Sequence, residues 1–125
     1  MNFRFTKQEK LKSKTSIDKL FQEGKGIVKF PIKMQYMPHS KPTHQIAFSV
    51  PKRNFKRAVD RNRIKRQLRE AYRLNKHIIF DKNLPPQAIF FIYIGKKLPE
   101  YDLLEKRMKI CLKELSRKAI KIQEE

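Results

Sequence analysis

Apolar residues in this chain fall into stretches of period two and stretches of period 3.6, separated by Gly, Pro and polar clusters. Ile17, Leu20 and Phe21 share one face of a short helix that Thr15 or Ser16 can cap and that Gly24 and Gly26 end. Before it, residues 1 to 14 alternate basic and polar positions around Phe3, Phe5 and Leu11, the pattern of an arm packed at a few points. From Gly26 to Met37 the apolar residues alternate (Ile27, Phe30, Ile32, Met34, Tyr36) but are broken by Pro31, which predicts two short strands or one bent edge strand. After the turn PHSKPTH, Gln45 to Val50 reads as a further strand, with Ile46, Phe48 and Val50 on one face and Ala47 and Ser49 on the other.

Between about Arg57 and Lys76 there is no Gly or Pro and the period lengthens to that of a helix. With Ile64 set at zero, Ala71, Ile64, Asn75, Leu68 and Tyr72 fall between about −20° and 80° around the axis, a core-facing stripe. A loop from Asn83 to Gln87, with Pro85 and Pro86, leads into the strand AIFFIYI. Strand, helix, strand implies parallel pairing of Ile46–Val50 with Ile89–Ile94. Leu104, Met108, Cys111 or Leu112, Leu115 and Ile122 then mark an amphipathic helix from about Glu100. The predicted order is α, two or three β, α, β, α, with no internal repeat. At 125 residues, 1–125 should form one α+β domain around a single modest core.

Charge changes this picture from a generic small domain to one with a partner. Lys and Arg total 31 against 12 Asp and Glu, a formal net charge of +19, so the isolated chain repels itself and attracts polyanions. The charge is concentrated: residues 52–76 hold eleven basic and two acidic residues, a net of +9, while the other residues together carry +10. On the predicted helix Lys65, Lys76, Arg69, Asn62, Arg73 and Arg66 fall between about 100° and 200°, one polar strip able to follow a phosphate backbone. Such a run is commonly just a solvated face. Solvated faces mix signs at helical spacing, however, and this strip has almost no acidic compensation and repels itself, a cost that points to a ligand. The C-terminal helix makes the contrast, because residues 100–125 mix seven basic with six acidic residues and read as a solvent face.

Chemistry within the chain itself is hard to find. Phosphodiester hydrolysis needs a positioned acid and base or carboxylates holding metal ions. His39, His44 and His77 have no paired spacing and no acidic cluster beside them, and read as surface or structural residues. Asp60 and Glu70 sit among cations as salt-bridge partners. Cys111, the single cysteine, lies on an apolar stripe and reads as a core residue. The N-terminus lacks the apolar stretch of a secretory signal, and the longest apolar run, Ala88–Ile94, is too short to span a bilayer. A cytosolic protein is expected.

The segment FSVPKRNFKRAVDRNRIKRQLREAYR, Phe48–Arg73, closely resembles the arginine-rich signature of the bacterial ribonuclease P protein family, and Phe5, the basic residue before Leu11 and the helix ending in Leu20 and Phe21 match that family's N-terminal pattern. The resemblance implies an α-β-β-β-α-β-α fold with a left-handed βαβ crossover, against the usual preference. It implies a protein subunit that binds the catalytic ribonuclease P RNA and the 5′ leader of precursor tRNA. By the same resemblance the RNA would carry the hydrolysis and hold most of the Mg2+, the protein alone would bind no metal, and no membrane is expected and no protein partner required. Residue by residue, Lys52, Arg53, Arg57, Arg61, Asn62, Arg63, Lys65, Arg66 and Arg69 match positions facing the catalytic RNA. Phe5 and Phe21 match positions in the leader cleft between the sheet and the first helix. Ile17 stands where many members have Phe, which weakens one aromatic contact to a leader base. Tyr36 or Met34 takes the next cleft position; both point to the same sheet face, and Tyr36 is the better stacking candidate. For Phe21, Phe48 and Tyr36 the competing reading is core packing. The competing function, from a different class, is a structural RNA-binding protein of the ribosomal type. A DNA-binding regulator lacks a helix-turn-helix partner for the Arg57–Lys76 helix.

Overall fold

The computed structural model describes residues 7–81 and 84–124, with side-chain surroundings through Ala119. Phe3, Phe5, Asn83 and the side chain of Ile122, all singled out by the sequence, lie outside that range. A single 3-10 turn, Lys7–Glu9, precedes α1 (Lys14–Glu23), β1 (Lys25–Lys29), β2 (Ile32–Pro38), β3 (Gln45–Ser49), α2 (Ala58–Asn75), the one-turn α3 (His77–Phe80), β4 (Gln87–Tyr93) and α4 (Tyr101–Glu124). The strands form one sheet in the order β1-β2-β4-β3. Pairing is antiparallel for β1 with β2 and β2 with β4, and parallel for β3 with β4 in the register Ile46↔Ile89. The parallel pair across α2 is the one the strand, helix, strand order predicted.

Local chemistry explains most boundaries. Helix α1 is capped by Ser13 rather than Thr15 or Ser16: Ser13 has extended backbone and its hydroxyl accepts from the Ser16 amide at 3.3 Å. The helix stops at Gly24, whose amide donates to the Leu20 carbonyl at 2.8 Å. A Cβ at Gly24 would lie 2.3 Å from that carbonyl oxygen, so only glycine fits. Gly26 is already inside β1, opposite Gln35. Pro31 falls in the turn between β1 and β2, where its missing amide interrupts no ladder, so the Gly26–Met37 stretch becomes two strands and β2 is a central strand rather than an edge.

The sheet has two unlike faces. On one, Ile27, Ile32, Met34, Tyr36, Ile46, Ile89, Phe91 and Tyr93 pack against Ile64, Leu68, Ala71 and Tyr72 of α2 and Leu104, Met108, Cys111, Leu112 and Leu115 of α4. All five residues of the predicted α2 stripe are buried, and the polar member, Asn75, donates to the Ala71 carbonyl at 2.8 Å. Cys111 belongs to this core, where burial pushes its thiol up to about 12. On the other face α1 covers only one end of the sheet: Leu11 and Leu20 pack on Ala88 beside Ile17, Met37, Ala47 and Phe90. The rest of that face, with Lys33, Gln35, Ser49 and Ile92, remains partly open. Among the described residues no helix is long and apolar enough to cross a membrane.

Candidate nucleic-acid interface

Helix α2 presents its charge because its opposite side is fixed. Ile64, Leu68 and Tyr72 are fully buried, which forces Asn62, Arg63, Arg66 and Arg69 outward, where all four are exposed; Lys65 is half-buried at the margin. Lys52, Arg53, Lys56 and Arg57, also exposed, extend the strip from the loop that enters the helix. Lys52, Arg53, Arg63, Lys65, Arg66 and Arg69 have no acidic partner among the described residues. Such cations stay available to an external anion.

Other basic residues of this segment are engaged. Arg61 is partly buried, and one guanidinium nitrogen donates to the carbonyls of Phe55 (2.8 Å) and Lys56 (2.9 Å), so it ties the entering loop to the first turn of α2. Arg57 lies 3.9 Å from Asp60, and Arg73 pairs with Glu70, whose carboxyl this hydrogen bond holds below its ordinary range. Asp60 and Glu70 thus act as the salt-bridge partners expected. Lys76 leaves the strip altogether. Its backbone turns into α3, the residue is 3% exposed, and its ammonium bonds Glu9 at 2.9 Å and lies 5.4 Å from the Phe80 ring centre. Helical spacing puts Lys76 on the strip only if α2 continues through it, and α2 ends at Asn75.

The second candidate surface is the open sheet face beside α1. Phe21 is 44% exposed, and its ring meets Phe90 edge to face at 5.0 Å. Ile17 is half-buried in the cluster that seats α1, on the same side. Tyr36 and Met34 require a correction. Both point to one face as expected, but to the core face: Tyr36 is 3% exposed and Met34 fully buried, on the side of the sheet away from α1. Alternation fixes which residues share a face but not which face the first helix covers, and a shift of one residue exchanges the two. The β2 residues on the α1 side are Lys33, Gln35 and Met37. Phe48 is partly buried and stacks on Phe91 at 5.7 Å within the core.

Two side chains here escaped the sequence reading. Phe90 was hidden in the uniformly apolar run AIFFIYI, although period two alone separates it from Ile89 and Phe91. Gln35, opposite Phe90 in the ladder and beneath Gly26, has a buried Oε1 with no hydrogen-bond partner among the described residues. A buried acceptor without a partner is costly unless something supplies one. His39 lines a small pocket with Ser16 and Lys19 of α1 and Met37 and Ala88 of the sheet, at the edge of the second surface. His44 is structural: its Nδ1 accepts from the Gln87 amide at 2.9 Å.

Comparison with known proteins decides the family. The sequence model described as Ribonuclease P matches residues 5–116. This chain belongs to the ribonuclease P protein family. It is 38% identical over 118 residues to the ribonuclease P protein component of Porphyromonas gingivalis strain W83, covering 88% of this chain and 85% of that one. With the component from Chlorobium phaeobacteroides the identity is 34% over 118 residues, covering 82% and 81%. Among solved structures the fold matches the RNase P protein of Thermotoga maritima (TM-score 0.71, 22% identity, 85% of this chain and 96% of that one). It also matches that of Staphylococcus aureus (TM-score 0.70, 18% identity, 86% and 94%). The ribonuclease P family takes part in tRNA processing, and its α+β fold with a four-stranded sheet is the one described above.

Proposed function

We propose that this protein is the non-catalytic subunit of a ribonucleoprotein that removes the 5′ leader of precursor tRNA in the cytoplasm. It binds ribonuclease P RNA through the loop at Lys52–Arg57 and the outer face of α2, and it holds the leader on the open sheet face beside α1. The observation that carries this reading is the exposed set of Asn62, Arg63, Arg66 and Arg69, without acidic partners among the described residues, on a helix anchored along its opposite side and continued by Arg53 in the entering loop. Arginine forks suit phosphate oxygens, and the strip offers few groups that read base edges, so binding is chiefly electrostatic. Phe21 and Phe90 supply flat apolar surface beside the polar Lys33 and Gln35, a set that suits an unpaired strand better than a duplex.

Hydrolysis is assigned to the RNA and its Mg2+. Among the described residues no group of three or more His, Cys, Asp and Glu side chains comes together to hold a metal. The test is reconstitution. Protein freed of RNA should leave precursor tRNA intact in magnesium, and addition of ribonuclease P RNA should produce cleavage at the 5′ end of the mature tRNA, faster than with RNA alone. Site-specific processing by the RNA-free protein would overturn the division of labour.

A further inference from the structure

The end of the sheet away from α1 carries an apolar groove of about 550 Å³ that neither surface above uses. Phe30, in the turn between β1 and β2, is 65% exposed; Leu98, before α4, is 45% exposed, and Leu103, on its first turn, 41%. Single exposed apolar side chains are ordinary, but three around one groove mark a binding surface. The floor is built. Tyr93 donates its hydroxyl to the Lys97 carbonyl, and the loop crosses the ring at Gly95, where a Cβ would lie 2.6 Å from the Tyr93 oxygen. Its rim bears the exposed cations Lys96 and Lys97 and the exposed carboxylate of Glu100.

The groove's position ties it to the basic strip. The Tyr93 ring lies 5.8 Å from the ring of Phe55, which belongs to the loop that carries Lys52, Arg53 and Lys56 and that Arg61 holds in place. The loop and the floor of the groove are therefore packed on one another through two buried rings, which makes the two surfaces neighbours. We propose that the groove seats one unpaired nucleotide of the RNA subunit, its base lying against Phe30 and Leu98 and its phosphates meeting Lys96 and Lys97. This rests on the reading that loop 51–57 faces that RNA. With Glu100 offsetting one of the two lysines the rim keeps a net positive charge, and a nucleotide combines a flat apolar face with the complementary charge.

The test uses the complex reconstituted with ribonuclease P RNA and measures RNA affinity across a salt series. Phe30→Ala should weaken binding roughly five- to a hundred-fold, the range for losing one base-aromatic stack, with the salt slope unchanged because no phosphate contact is removed. Phe30→Tyr should retain wild-type affinity, and Leu98→Ser should repeat the loss without touching the turn. Arg66→Ala serves as the reference, weakening binding with a flatter slope. Wild-type affinity for both groove variants beside a weakened Arg66→Ala complex would overturn the groove and leave the strip intact; failure of the wild-type protein to bind the RNA would remove both. A sedimentation-detected dimer abolished by Phe30→Ala with RNA affinity intact would assign the groove to self-association instead and likewise overturn the proposal.

Discussion

Truncating Phe21 separates leader binding from packing more cleanly than any other change in the proposed cleft. The ring is 44% exposed and meets Phe90 edge to face. A fully buried Phe→Ala change costs about 3–5 kcal/mol, and an aromatic pair of this geometry contributes about 0.5–1.5 kcal/mol, so with nearly half the residue in water Phe21→Ala should cost roughly 1–2 kcal/mol of stability. Loss of a base stacked on the ring costs about 1–3 kcal/mol of binding, which is roughly a five- to hundred-fold weaker complex. The two effects have different dependences: packing is indifferent to substrate, while stacking requires a leader. The assay compares holoenzyme affinity for precursors with a long leader, a one-nucleotide leader and no leader, using wild-type and Phe21→Ala subunits whose folding is verified by thermal melting. The loss should be confined to leader-bearing precursors long enough to reach the ring. Equal losses for all three substrates, or a stability cost in the full core range, would return Phe21 to a packing role.

Arg66→Ala should flatten the log-log salt dependence of RNA binding by roughly 0.7–0.9 for one lost phosphate contact, and an unchanged slope would count against the strip. Lys76→Ala should destabilise the fold by about 3–5 kcal/mol in urea titrations, because it strands the buried Glu9 carboxylate without its ammonium partner. Burial and then the neighbouring His39 hold the His44 ring down at about 4 against 6.5 unfolded, so the unfolded chain takes up the extra proton as pH falls through that window and stability drops, by about 3 kcal/mol once both states are charged. Urea midpoints between pH 7 and 4 measure this, and His44→Gln should remove the drop it causes.

Helix α2 was the most legible element. Three turns of unbroken period, with no Gly or Pro, specified which residues face inward, Asn75 among them by its angle, and the structure satisfies that buried amide on the Ala71 carbonyl. The parallel pairing of β3 with β4 followed from element order. What the sequence left hidden was tertiary in origin. Which sheet face α1 covers depends on where Leu11 and Leu20 dock, and neither residue announces Ala88 as its seat, so Tyr36 was assigned to the cleft and Gln35 overlooked. The engagement of Arg61 on two carbonyls is likewise invisible in a run of arginines, since nothing local distinguishes a guanidinium folded back on its own loop from one facing solvent.

The energetics of α2 show why such a helix can persist without its partner. Arg61 with Lys65, Arg63 with Arg66, Lys65 with Arg69, Arg66 with Arg69 and Arg69 with Arg73 are like charges at helical spacing, each costing about 0.2–0.5 kcal/mol, so the strip opposes its own helix by roughly 1–2.5 kcal/mol. Burial of Ile64, Leu68 and Tyr72 stabilises the same turns by roughly 1.5–3 kcal/mol per side chain, which outweighs the repulsion several-fold. The core side therefore fixes the helix, and the repulsion is held as unfavourable electrostatic energy on the opposite side, to be relieved when phosphates arrive. Because the helix is already formed, that relief goes into association rather than into ordering the chain. A flexible arm of the same charge would have to spend part of its binding energy on ordering; here the sheet and α4 have fixed the geometry of the strip before any RNA is met.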